Sequence, residues 1–233
     1  MIQIIPSEQR YKAEHGWLTS YHSFSFADYY DPDNLQFGSL RVFNDDIIQG
    51  GQGFGMHPHA NMEIMTYVID GTLEHQDSLG NKGLIEAGEV QRMTAGTGIY
   101  HSEYNHSPEK PVHLLQIWFI PNQKDLSPSW EQRKFSREQQ LNQLLPVVSG
   151  RSLEHALTIH QDVTVYLSHL QAGKELVHRQ QEHRRMYLFV IEGKVALNET
   201  HTLSAGDTAR ISGLSELHLA THRGGEFMLM DLA

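Results

Sequence analysis

The chain has 233 residues, 39% hydrophobic and 20% charged, with a formal charge of −10 and no cysteine. That length buries an ordinary core in one large or two small domains, and the composition excludes a disordered chain or one that needs disulfide staples. The acidic balance argues against direct binding to a nucleic-acid backbone, and the missing thiols leave only nitrogen and oxygen to hold a metal.

In chain order, the opening "MIQIIPSEQRYKAEHGW" has polar and acidic residues where a signal peptide needs an unbroken apolar core, so a cytoplasmic protein is expected. No apolar run is long enough to span a membrane. The aromatic set Phe24, Phe26, Tyr29 and Tyr30 reads as packing rather than as a substrate platform, and "NDD" at 44–46 as turn chemistry. From there short apolar runs dominate: "GSLRVFND", "MEIMTYVIDG", "TLEHQD", "HLLQIWFIP", "TVYLSHL", "RMYLFVIEGKVAL" and "EFMLMDL". Branched and aromatic residues between Gly, Asp, Asn and Pro turns predict an all-β protein. "LEHQDSLGN" (73–81) reads as a polar strand face ending in a hairpin turn.

Residues 121–150 form a polar, proline-containing linker with one predicted helix. Ser136 and Gln139 make a capping-box pattern ahead of "QLNQLL", and Pro146 follows. The linker separates an N-terminal domain, 1–120, from a C-terminal domain, 151–233, and the halves repeat. "YVIDG" (67–71) matches "FVIEG" (189–193), and "IEAGEVQRM" (85–93) matches "LSAGDTARI" (203–211). A period of about 120 residues points to a duplicated domain rather than a stacked array. The basic cluster "HRRM" (183–186) reads as a solvated surface patch.

Chemistry concentrates in two motifs of the first half. In "GFGMHPHANMEI" (53–64), His57 and His59 share a face if the segment is extended, and Pro58 favours extension while requiring an edge or a bulge. A histidine pair alone is more often an ordinary turn, above all in a chain with 16 histidines. In "GTGIYHSEYN", however, His101 and Glu103 repeat the two-residue spacing. Two such pairs on neighbouring strands, roughly 4.8 Å apart, converge four ligands on one site. Three neutral imidazoles and a carboxylate suit iron, zinc, nickel, copper, cobalt or manganese.

The segment from "GFGMHPHANMEIMTYVIDG" to "AGEVQRMTAGTGIYHSEYN", with the upstream "HGWLTSYHSFSFADYYDP" and "GSLRVFNDD", resembles the pirin family of bicupins, in particular bacterial members described as quercetin 2,3-dioxygenases. The resemblance implies two cupin barrels facing each other. It also implies a divalent metal, iron(II) foremost, held by His57, His59, His101 and Glu103 in the N-terminal barrel. The implied reaction cleaves a flavonol such as quercetin with O₂ and releases carbon monoxide. Glu103 would then serve as ligand and as the base that takes the 3-hydroxyl proton, with Met62 and Met93 candidates for an apolar cleft. The alternative is a metal- or redox-dependent regulatory cofactor acting through protein contacts. In this family the carboxylate ligand comes from "HSE", so Glu63 is assigned a supporting role. In the second half the repeat places Arg179, Gln181, Leu219 and Thr221 at the ligand positions, so the metal set is not kept, although His178, His183, His218 and His222 lie close by.

Overall fold

The computed structural model describes residues 1–151, 153–181 and 183–233, and strands dominate them. In chain order, β1 (Ile2–Ile5) is followed by β2 (Tyr11–Glu14), β3 (Leu18–His22), β4 (Leu40–Ile48), β5 (Gly53–His59), β6 (Glu63–Asp70), β7 (Thr72–Asp77), β8 (Lys82–Glu86), β9 (Glu89–Thr94), β10 (Ile99–Asn105), β11 (Val112–Phe119) and β12 (Ser129–Lys134). The second half adds β13 (Leu145–Ser149), β14 (Leu157–Thr158), β15 (Val163–Leu170), β16 (Glu175–Arg179), β17 (Arg185–Leu197), β18 (His201–Ser204), β19 (Thr208–Ser212), β20 (Glu216–Ala220) and β21 (Gly225–Leu232). Among the described residues no helix is long and apolar enough to cross a membrane.

The chain divides into two compact units. The first comprises Tyr11–Phe135 with Ile159–Gln161. It has a seven-stranded sheet, β12-β9-β6-β11-β4-β3-β2, and a four-stranded sheet, β5-β10-β7-β8. Inward residues of both sheets, among them Ile48, Val68, Leu73, Ile85 and Val112, form its core. The second unit comprises Met1–Arg10, Ser136–Thr158 and Asp162–Ala233, built on a ten-stranded sheet. Its core includes Leu188, Val190, Val195, Leu219 and Phe227, each fully buried side chain contributing roughly 1.5–3 kcal/mol of hydrophobic stabilisation. The division departs from boundaries at 120 and 150. β12 pairs with β9 and so keeps Ser129–Lys134 in the first unit, while β1 pairs with β19 and carries the N-terminus into the second.

The repeat extends to individual hydrogen bonds. Gly71 and Gly193 both adopt positive φ, at 86° and 76°, a region that suits glycine. In the first unit Ala87 N donates to Gly71 O and Gly88 N to Val68 O; in the second Ala205 N donates to Gly193 O and Gly206 N to Val190 O. The matched motifs thus build the same turn against the same strand end.

Three local expectations need correction. No helix follows Ser136: residues 137–140 are turns. The capping box itself forms, with Ser136 N donating to Gln139 Oε1 (2.8 Å) and Gln139 N to Ser136 Oγ (3.3 Å). Helix propagation then stops because the sheet takes the next backbone groups: His169 N donates to Gln140 O and Asn142 N to His169 O. "NDD" lies inside β4, with Asn44 and Asp46 buried and Asp45 Oδ1 2.6 Å from His113 Nε2, because a paired neighbour on each side makes the segment a central strand. Within "HRRM", Arg184 is buried rather than solvated, ion-paired to Asp231 and Asp162. The hairpin expected after "LEHQD" does form, closed by Asp77 Oδ1 accepting from Leu79 N and Asn81 N.

Candidate metal centre

The two motifs lie on adjacent strands. β5 is the edge of the four-stranded sheet and pairs with β10, where Pro58 costs no ladder donor on its open side. His57 stands directly opposite His101, and the register shifts between His101 and Glu103, so the strand pair has both the edge and the irregularity that Pro58 calls for. Alternation turns Met56, Pro58, Tyr100 and Tyr104 outward and buries His101 and Glu103.

Three imidazoles gather there, with ring centroids 4.8 Å (His57–His59), 4.5 Å (His57–His101) and 4.9 Å (His59–His101) apart. His57 Nδ1 lies 2.7 Å from Gly55 O, so it carries the proton and leaves Nε2 as a lone-pair donor. That atom is 3.0 Å from His101 Nε2. Two nitrogens about 2.1 Å from one ion and at right angles to it are themselves about 3.0 Å apart, so the separation fits a shared metal. His59 Nε2 is buried with no hydrogen-bond partner among the described residues, as a ligand atom awaiting an ion would be. Burial first, and then the neighbouring imidazoles, push the His59 pKa down to about 4. Burial followed by His57 and His75 pushes His101 down to about 3. Both rings are therefore neutral near pH 7, the state that ligates metal.

Glu103 is buried and held by amides from two strands of the larger sheet. Gln91 Nε2 on β9 donates to Oε1 at 2.5 Å, and Gln116 Nε2 on β11 donates to Oε2 at 2.8 Å. Thr66 Oγ1 ties the two amides together, and Trp130 Nε1 donates to Gln91 Oε1 (2.8 Å). Glu103 does not form one tight group with all three histidines. Potential ligand atoms of His57, His59 and His101 lie within 4.8 Å of one another, and those of His75, His101 and Glu103 form a second such group. The two groups share His101.

His75 is the residue that sequence reasoning placed wrongly. It is fully buried, opposite Glu103 in the β7–β10 register, stacked on Trp130 at 5.1 Å and 3.2 Å from Asp77 through Nε2. Its period-two relation to Asp77 is the same i, i+2 signal as "HPH" and "HSE", concealed by the turn that follows. Gln91 and Gln116 were missed as well; a single amide inside "EVQRM" and inside "HLLQIWF" is their only trace.

Glu63 is fully buried and belongs to neither group. Its Oε2 accepts from Thr94 Oγ1 (3.0 Å) and His160 N (3.2 Å), and burial raises its pKa. Met93 is buried in a cluster with Ile64, Ala95 and Ile99, against which Met62, Trp118 and Trp130 pack half-buried. Trp118 meets His59 edge-on at 4.8 Å, and Phe26 meets Trp118 at 5.4 Å. Phe24 is core and Tyr29 stacks on Tyr11, whereas Tyr30 is 74% exposed and packs nothing away.

The described residues of the second unit contribute no ligand group of this kind. Arg179 and Gln181 are exposed there, Leu219 and Thr221 are buried, and His178 pairs with Asp231 (3.4 Å).

Comparison with known proteins agrees with this asymmetry of two related halves. The family model "Pirin" matches residues 5–119, and "Quercetinase C-terminal cupin domain" matches residues 146–232. A quercetin 2,3-dioxygenase of Escherichia coli strain K12 is 44% identical over 232 residues, covering 100% of this chain and 99% of that protein. The chain belongs to the pirin family. A pirin-like protein of Caulobacter vibrioides is 41% identical, with 100% of both chains covered. The crystal structure of the bacterial pirin YhhW from Escherichia coli in complex with nickel(II) superposes with a TM-score of 0.94 at 43% identity, covering 100% of this chain and 99% of that one. Each unit of this pirin is accordingly a cupin barrel, and a divalent metal is the cofactor type its family uses.

Proposed function

We propose that this pirin is a metal-dependent oxygenase that cleaves a flavonol such as quercetin with O₂ and releases carbon monoxide, its metal held by His57, His59, His101 and Glu103. The observation that carries the reading is the convergence of three imidazoles beside a buried carboxylate that other side chains hold in place. The names of the curated relatives support the choice of substrate class. A bound divalent transition ion, iron(II) in this reading, would supply the positive charge that acidifies a flavonol 3-hydroxyl and the redox-active centre that reaction with O₂ requires.

The chain's own residues do the rest. Glu103 takes the 3-hydroxyl proton. Among the described residues Oε1 accepts from Gln91 and, at 3.4 Å, from Thr66, while Oε2 accepts from Gln116 alone. The two glutamines keep the carboxylate from rotating as it gains and loses that proton. Met62, Trp118 and Trp130 supply apolar surface beside the imidazoles against which a flat aromatic ring packs and from which water is excluded.

Protein reconstituted anaerobically with iron(II), and in parallel with other divalent metals, should bleach the flavonol absorption band in air and release carbon monoxide. Failure with every metal overturns the reading. Glu103→Gln should lower turnover by roughly 10²–10⁴-fold, the usual range for a lost general base, while retaining most of the metal. Equal loss of metal and turnover would leave Glu103 a ligand only.

A further inference from the structure

The second unit carries a cleft of ≈ 1060 Å³ between the β15–β16 turn, the middle of β17 and the β20–β21 turn. Three cations line it, Lys174, Lys194 and Arg223, all with exposed side chains. None of the three makes an ion pair or a side-chain hydrogen bond among the described residues. Elsewhere in the same unit Arg137, Arg151, Arg179 and Arg184 each sit on a carboxylate. The acidic residue lining the cleft, Glu192, is held by Arg137 Nη2 at 2.8 Å, an atom that also meets Glu226 at 3.2 Å, and among the described residues it makes no ion pair with Lys174, Lys194 or Arg223. A chain of net charge −10 thus gathers three cations without a carboxylate partner in one concavity, where low-dielectric walls focus the field.

The shape suits a ligand of some size. Gly193 approaches the neighbouring turn so closely that a Cβ there would lie 2.4 Å from Gly224 O, and with Ala196 and Ala220 these residues give a floor of backbone and methyl groups. His169 and His222 stand on the lining. Thr221 lines the cleft too, 3% exposed, and its hydroxyl has no hydrogen-bond partner among the described residues. Small-molecule sites run to about 300–1,000 Å³, so the volume exceeds what a single inorganic ion fills.

We propose that this cleft binds a small organic polyanion, a molecule bearing two or three carboxylate or phosphate groups that Lys174, Lys194 and Arg223 neutralise. The site is independent of the metal reading, since none of its lining residues belongs to either ligand group.

Calorimetric titration of the metal-loaded protein at low ionic strength tests it, with benzene-1,3,5-tricarboxylate as the carboxylate probe, fructose 1,6-bisphosphate as the phosphate probe and erythritol as the neutral control. At least one anion should bind and erythritol should not, and the preferred anion identifies the headgroup. Lys194→Glu and Arg223→Glu should each weaken binding by about tenfold or more, as should raising salt to about 0.15 M. The milder Lys194→Gln and Arg223→Gln should move affinity in the same direction, which guards against a charge reversal that disturbs folding. Absence of binding by both anions overturns the proposal, as does an affinity that all four substitutions leave unchanged.

Discussion

Gln91 and Gln116 touch no metal position, yet they decide where the Glu103 carboxylate points. In Gln116→Leu the Oε2 atom loses its 2.8 Å donor inside a buried pocket. An unsatisfied buried polar group costs about 1–3 kcal/mol, so urea unfolding of the metal-free variant should show a loss of that order, with His57, His59 and His101 still in place. The same residues show what a sequence conceals. An i, i+2 pair announces a shared face, which is why "HPH" and "HSE" stood out, but an amide in an apolar run gives no hint of which carboxylate it will meet. His75 carried the right spacing and was outweighed by its turn. Acid should act on the imidazoles in a definite direction. His59 and His101 have pKa values pushed below the unfolded value of about 6.5, so between that value and about 4 the unfolded chain binds more protons. The metal-free protein should lose stability as pH falls through that window, and His59→Gln should flatten the slope measured by denaturant titration at pH 7 and pH 5.

Strands were legible and one helix was misread, for related reasons. Period-two alternation is imposed by a buried face and a continuous apolar run by burial on both, so β5 and β10 could be anticipated from the first signal and β17 from the second. The Ser136 segment contains a sound helix start, and its two capping hydrogen bonds form. What ends it is β15, some thirty residues on, whose His169 claims Gln140 O and supplies the acceptor for Asn142 N. No local signal encodes that competition. The glycine turns behave oppositely, because their requirement is local. Gly193→Ala would force a side chain into positive φ and against Gly224 O, so thermal unfolding should reveal a loss of roughly 1–3 kcal/mol from strain alone, with the clash adding to it. Gly173→Ala, also at positive φ but with open space around its Cβ position, should cost less.

At the scale of the whole chain, duplication was visible in "YVIDG" and "FVIEG", but the crossing of the N-terminus was not. β1 pairs with β19, over 200 residues away, and pairing at that separation leaves no mark on four residues of sequence. Deleting residues 1–6 should lower hydrogen-exchange protection in Thr208–Ile211, which keep only their pairing with β17, while leaving metal affinity unchanged. The halves also differ in what holds their equivalent strands. β5 and β10 meet across imidazoles that suit a metal, whereas His178 of β16 rests on Asp231, which Arg184 also holds. Chelation should therefore reduce exchange protection in β5 and β10 and leave β16 and β20 as they were, because only the unit that binds the ion gains from it. The three tryptophans, Trp17, Trp118 and Trp130, all fall within Tyr11–Phe135, two of them against site imidazoles. Intrinsic fluorescence excited at the indole band therefore sees only one half of the molecule: quenching by an arriving paramagnetic ion can be followed without a label, while the other barrel stays dark.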